Sequence, residues 1–203
     1  ASGISKLAKM KRFSLNLNKK GSSVDPGDCD SGLASVAQAL ESLKHLQSIH
    51  FANCAMTPLS TSAISHLLEK NTSITDIDLS DNPGIGPEGA QVLANGLSKR
   101  KLAYRLELNN VNLGDEGIAA IAMALNPEAD KIGLDGFSIY AGSNRIGDQG
   151  AKAIANAGLT MKIPTHFDLY ENEIGEVGGI SIQESLIKNP EFSVAISKNR
   201  ISR

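Results

Sequence analysis

Tryptophan is absent from this chain, and aromatic residues make up only 4% of its 203 residues. A core must therefore be built from aliphatic side chains, and a hydrophobic content of 41% over this length is enough to build one. An excess of charge of one sign is missing too. With 20 Lys and Arg against 22 Asp and Glu, the formal net charge is −2, which argues against a general binder of nucleic acid or of anionic membranes. Only two cysteines occur, Cys29 and Cys54. They form neither a disulfide framework nor a metal-ligand pattern, and they fit a reducing, cytoplasmic compartment. No apolar run reaches membrane-spanning length, and the first residues carry no signal-peptide pattern. The four histidines show no metal-ligand spacing, so neither a metal nor another cofactor is expected.

What is present is a repeat. Ile77 and Leu79 precede Asn82, Ile139 and Ala141 precede Asn144, Phe167 and Leu169 precede Asn172, and Val194 and Ile196 precede Asn199. Each copy has two apolar residues one apart, then Asn three positions after the second. Weaker copies are Phe13 and Leu15 with Asn18, Ile49 and Phe51 with Cys54, and Leu106 and Leu108 with Val111. The frame positions 18, 54, 82, 111, 144, 172 and 199 are separated by 36, 28, 29, 33, 28 and 27 residues. The two long intervals require insertions. One is the polar, turn-rich stretch 19–28, before a helix starting near Ser31; the other lies around 126–131.

After each frame residue comes an apolar residue and a pair of glycines: Gly86 and Gly89, Gly114 and Gly117, Gly147 and Gly150, Gly175 and Gly178. Glycine is expected to allow the strand-to-helix bend. Asp115, Asp148 and Glu176 place negative charge where a helix begins, and Pro87 suits a first helical turn. Helical spacing follows, as in Ile118, Ile121, Ala122 and Leu125. Each unit is thus one short strand and one helix, unable to bury both faces alone. Stacking gives a parallel sheet on one side and helices on the other. The repeated Asn is expected to bond backbone groups of the loop. Cys54 is a close steric substitute, whereas Val111 should loosen its loop. The run Lys99–Lys101 ends a helix and is assigned to the helix dipole.

This pattern resembles the ribonuclease-inhibitor-like class of leucine-rich repeats, over residues from about 4 to 203. The resemblance implies a single α/β horseshoe domain of about seven repeats, with a concave strand face and a convex helix face. It implies protein binding rather than catalysis, since the class includes enzyme inhibitors, GTPase-activating proteins, immune-receptor segments and secreted bacterial effectors. An effector of this class would act in the host cytosol. Neither end reads as a polar cap, so missing residues or a partner is expected to cover an end.

Strand alternation sends the residues flanking each apolar pair out of the core. The outward set includes His50, Asp76, Asp78, Ser80, Arg105, Glu107, Asn109, Tyr140, His166, Asp168 and Tyr170, with Asp81, Glu171 and Lys198 just beyond the strands. Carboxylates on neighbouring strands repel unless something positive neutralises them. Acids crowding the middle of the curve, beside two of the three tyrosines, read as a binding patch. The expected occupant is another protein, for instance an enzyme with a basic or polar contact surface, met by a free monomer and inhibited or regulated by it. A scaffold using its convex or terminal surfaces is one alternative, and GTPase activation, by family analogy, is another. His50, Asp78 and Ser80 on adjacent strands have the composition of a hydrolase triad, but an open sheet offers neither a closed pocket nor a glycine elbow, and no enzyme activity is expected.

Overall fold

The computed structural model describes residues 9–17, 26–129 and 135–201, of which 26–28 by backbone alone. Asn18, Lys19 and Lys20, residues 130–134 and the helix end expected at Ile4 and Leu7 lie outside the described residues. Among the described residues, seven strands alternate with six helices. The order is β1 (Arg12–Ser14), α1 (Pro26–Leu40), β2 (Ser48–His50), α2 (Pro58–Lys70), β3 (Asp76–Asp78), α3 (Gly86–Leu97) and β4 (Arg105–Glu107). It continues with α4 (Gly114–Met123), β5 (Phe137–Tyr140), α5 (Asp148–Gly158), β6 (Thr165–Asp168), α6 (Glu176–Lys188) and β7 (Phe192–Ala195). The strands form one sheet in sequence order, every neighbouring pair parallel. Helix α1 starts at Pro26, ahead of the start expected near Ser31. Proline's fixed φ suits a first helical turn.

Register places Phe13, Ile49, Ile77, Leu106, Ile139, Phe167 and Val194 in one row across the sheet. That row and the helices' inner faces share one continuous core, aliphatic in the main but also burying Phe51, Tyr104, Phe137, Phe167 and Phe192, so the few aromatics join the aliphatic core expected from the sequence. Successive helices also pack on one another. A helix needs about 10 Å of width and a strand about 4.8 Å, so the strand side must be the inner side of the curve. This architecture is a leucine-rich-repeat α/β solenoid.

Three sets of hydrogen bonds between units hold the stack. In the first, the frame asparagines reach back one unit. Asn82 Oδ1 accepts from the amides of Cys54 (2.8 Å) and Met56 (3.1 Å), while its Nδ2 donates to the carbonyls of Phe51, Leu79 and Ser80. Asn144 serves Val111 and Leu113, Asn172 serves Asn144 and Ile146, and Asn199 serves Ile174 in the same way. The Cys54 thiol donates to the Leu15 carbonyl at 3.2 Å, and burial pushes it up to about 11. Val111 is fully buried and has no side-chain amide, yet its carbonyl accepts from Gly86 N at 3.0 Å, matching Gly114 N on the Asn144 carbonyl.

In the second set, helix-start carboxylates cap the following helix. Asp115 accepts from Gly147 N at 2.6 Å, and Asp148 accepts from the amides of Gly175 (2.7 Å) and Gly178 (3.0 Å). The third set lies at the helix C-termini. Asn71 donates to the Leu43 carbonyl at 2.9 Å, and Asn189 to those of Gly158 and Met161. Arg100 is the counterpart between them. It is 3% exposed and donates to the carbonyls of Leu68, Asn71, Thr72 and Ile74. The dipole assignment is therefore corrected for Arg100, which turns inward and serves the end of the preceding helix, α2.

The glycine expectation needs a correction as well. Gly86 and Gly114 do adopt left-handed φ of +59° and +60°, but Gly147 and Gly175 have φ of −105° and −95°. At the second glycine of each pair the constraint is space: a Cβ on Gly150 would sit 2.7 Å from Asp115 Oδ1.

Candidate functional site

The inner face of the sheet is the candidate interface, and its side chains are positioned by the strand register. On β2 and β3, Ser48 Oγ lies 2.8 Å from His50 Nε2 and donates to Asp76 Oδ2 at 3.0 Å, with His50 Nε2 3.3 Å from that same oxygen. The other Asp76 oxygen is buried without a partner. A cleft lined by Lys11, Arg12, Ser48 and Asp76 opens beside this group. The triad composition is not assembled around His50. Asp78 Oδ1 accepts from Ser80 N at 3.0 Å, and Ser80 is buried, its hydroxyl accepting from Asn109 N at 3.3 Å. Ser48 and Asp76 both meet the same ring nitrogen, whereas a proton relay needs them on opposite nitrogens.

Asp78 and Glu107 are register partners on β3 and β4. Burial pushes the Glu107 carboxyl above the ordinary carboxylate range, with Asp78 and Asp76 adding to the rise and Arg105 and His50 opposing it. Arg105 supplies the positive charge that the sequence required here. Its Nη2 lies 2.8 Å from Glu107 Oε1, and its guanidinium lies 5.0 Å from the centroid of the Tyr140 ring. Tyr140 meets His166 edge-on with centroids 6.4 Å apart, and His166 Nδ1 lies 2.9 Å from Ser193 Oγ. The second inner-face tyrosine is covered in the same manner. Lys198 Nζ bonds to the Tyr170 hydroxyl and lies 4.7 Å from the ring centroid.

Asp168 Oδ1 accepts from Tyr170 N at 3.0 Å, the same turn that Asp78 makes. Asp81, Glu171 and Lys198 occupy left-handed turns with φ of 59°, 57° and 56°, directly before the frame asparagines. Asn110 donates to Asp81 Oδ1 at 3.1 Å and Ser143 to Glu171 Oε2 at 3.1 Å. Asn109 Oδ1 accepts from Gly142 N at 2.8 Å. The expected single acidic patch thus divides in two: Asp76, Asp78 and Glu107 on β3–β4, and Asp168 with Glu171 at β6, with Tyr140 of β5 between them. Ser48 and Ser193 stand in the row just before the apolar pairs. Asn110 and Ser143, missed in the sequence, occupy the same turn position as Asp81 and Glu171, and that shared position was the available signal.

Among the described residues, no group of three or more His, Cys, Asp or Glu could hold a metal ion, and no helix is long and apolar enough to cross a membrane. The architecture and its in-register inner face define the class, a leucine-rich-repeat solenoid, and such domains generally mediate protein–protein interaction. Residues 70–94 and 142–155 match the family model described as Leucine Rich repeat; these stretches hold Asn82 and Asn144. Over 136 residues the chain is 33% identical to the Ran GTPase-activating protein of Drosophila melanogaster, an alignment covering 63% of this chain and 22% of that protein.

Proposed function

We propose that the protein is a ribonuclease-inhibitor-like module that binds a partner protein through its inner strand face and regulates it, without itself being an enzyme. The carrying observation is the register: the parallel strands β3–β6 hold Asp76, Asp78, Glu107, Tyr140, His166 and Asp168 at fixed spacing on one surface, with Tyr170 just beyond β6. Carboxylates beside tyrosines suit a partner with a basic or polar protrusion. The free protein is a monomer in this reading, and its setting is the cytoplasm.

The test must spare the turns. Asp78 and Asp168 each accept a backbone N–H, so charge reversal would damage the fold as well as the face. Asp78→Asn, Glu107→Gln and Asp168→Asn together remove the charge and keep an acceptor at each position. The combined variant should bind its partner about tenfold or more weakly, with no loss of thermal stability. Unchanged affinity would move the contact to the helices, as in a scaffold.

A second reading is favoured by one observation, the similarity to a Ran GTPase-activating protein. In that reading the bound partner is a small GTPase and the regulation is acceleration of GTP hydrolysis. GTP turnover by Ran with and without the protein decides it. Faster turnover supports this reading, and an unchanged rate removes it.

A further inference from the structure

We infer that Glu107 and Tyr140 form a guanidinium-binding subsite on the inner face, and that the chain's own Arg105 occupies it until an arginine of the partner displaces it. This rests on the reading of that face as the partner-binding surface. A guanidinium is flat, and it is recognised best by a carboxylate near its plane and an aromatic ring against its face. Both elements are here, and a guanidinium is seated on them: Glu107 Oε1 is 2.8 Å from Arg105 Nη2, and the Tyr140 centroid is 5.0 Å from the guanidinium carbon. The negative charge exceeds what one arginine neutralises. Asp78 stands opposite Glu107, and Asp76 stands opposite Arg105 itself.

Arg105 is held as a displaceable group would be. Its side chain is 45% exposed, and a single surface ion pair with one ring contact holds a side chain weakly in water. Arg100 shows the contrast within the same molecule, being buried and bonded to four carbonyls. That arginine is structural; Arg105 is a placeholder.

The experiment is an NMR titration of wild type, Arg105→Ala, and Arg105→Ala with Glu107→Gln, followed at the Tyr140 and His166 rings. The probe is the capped tripeptide Gly-Arg-Gly, with Gly-Lys-Gly as its counterpart. Arg105→Ala should bind the arginine peptide about tenfold more tightly than wild type, the double variant should lose the gain, and the lysine peptide should bind more weakly. Equal binding by wild type and Arg105→Ala, equal binding by both variants, or equal binding of the two peptides would overturn the subsite. Partner capture with the inner-face variant above separates the two ideas. Capture lost there, with the tripeptide indifferent to Arg105→Ala, leaves the partner reading standing and removes the subsite. The opposite pattern removes the partner reading.

Discussion

Asn82 spends its whole side chain on other units' backbone and its own, accepting from two amides and donating to three carbonyls. Asn82→Ala leaves these groups buried without partners and should cost about 3 kcal/mol, read as a lower urea midpoint. This position was legible in the sequence because spacing alone exposes it. What Asn82 bonds was only partly legible, since reaching the preceding loop depends on how units stack. Glu107 gives a pH-dependent test. Its folded carboxyl is raised above the ordinary value of 4.5 by burial, so its contribution is most favourable below the ordinary carboxylate range and is lost as pH rises through the raised value. Glu107→Gln, which mimics the protonated acid, should therefore gain stability on wild type as pH rises through that window. Urea titrations at several pH values measure it; a gain that grows towards acid pH would contradict the assignment.

Between elements, the solenoid depends on contacts that no single unit reveals. Gly150 admits the Asp115 carboxylate against its backbone, with Ile118 and Ile146 methyl carbons both 2.8 Å from where a Cβ would stand. Gly150→Ala should destabilise by about 1–3 kcal/mol through overpacking, although alanine is the better helix former. The paired glycines were legible, but their purpose was not: Gly147 and Gly175 have negative φ, and Gly150 is required by space rather than by φ. Arg100 was hidden more deeply. In sequence it is the middle of a charged run, and only the neighbouring unit's loop at Asn71–Ile74 explains why it turns inward. Arg100→Lys should lose about 3 kcal/mol, because one ammonium cannot span carbonyls that a guanidinium fork reaches. A melting point equal to wild type would show that charge alone suffices. The strands and helices themselves were legible from the two periodicities. The start of α1 was not, because a polar insertion precedes it without a repeat to fix its frame.

Across the whole molecule, the seven-unit parallel sheet followed from the spacing, but not every outward position did: Ser80, expected on the inner face, is buried. The pairings on that face did not. Arg105 over Tyr140 and Lys198 on Tyr170 depend on torsions of long side chains, which spacing does not encode. As a result the patch that reads as bare acids and tyrosines is partly neutralised by the chain's own cations. The central claim is that a partner sits on this face. The most direct measurement replaces either Tyr140, on the strand side, or Met123, exposed on α4, with a photocrosslinking benzoylphenylalanine and identifies the crosslinked protein in cell lysate. A partner trapped from position 140 and not from 123, and lost on adding Asp78→Asn, Glu107→Gln and Asp168→Asn, is the predicted result. The same partner trapped from position 123 alone would place the interface on the helices and contradict the account.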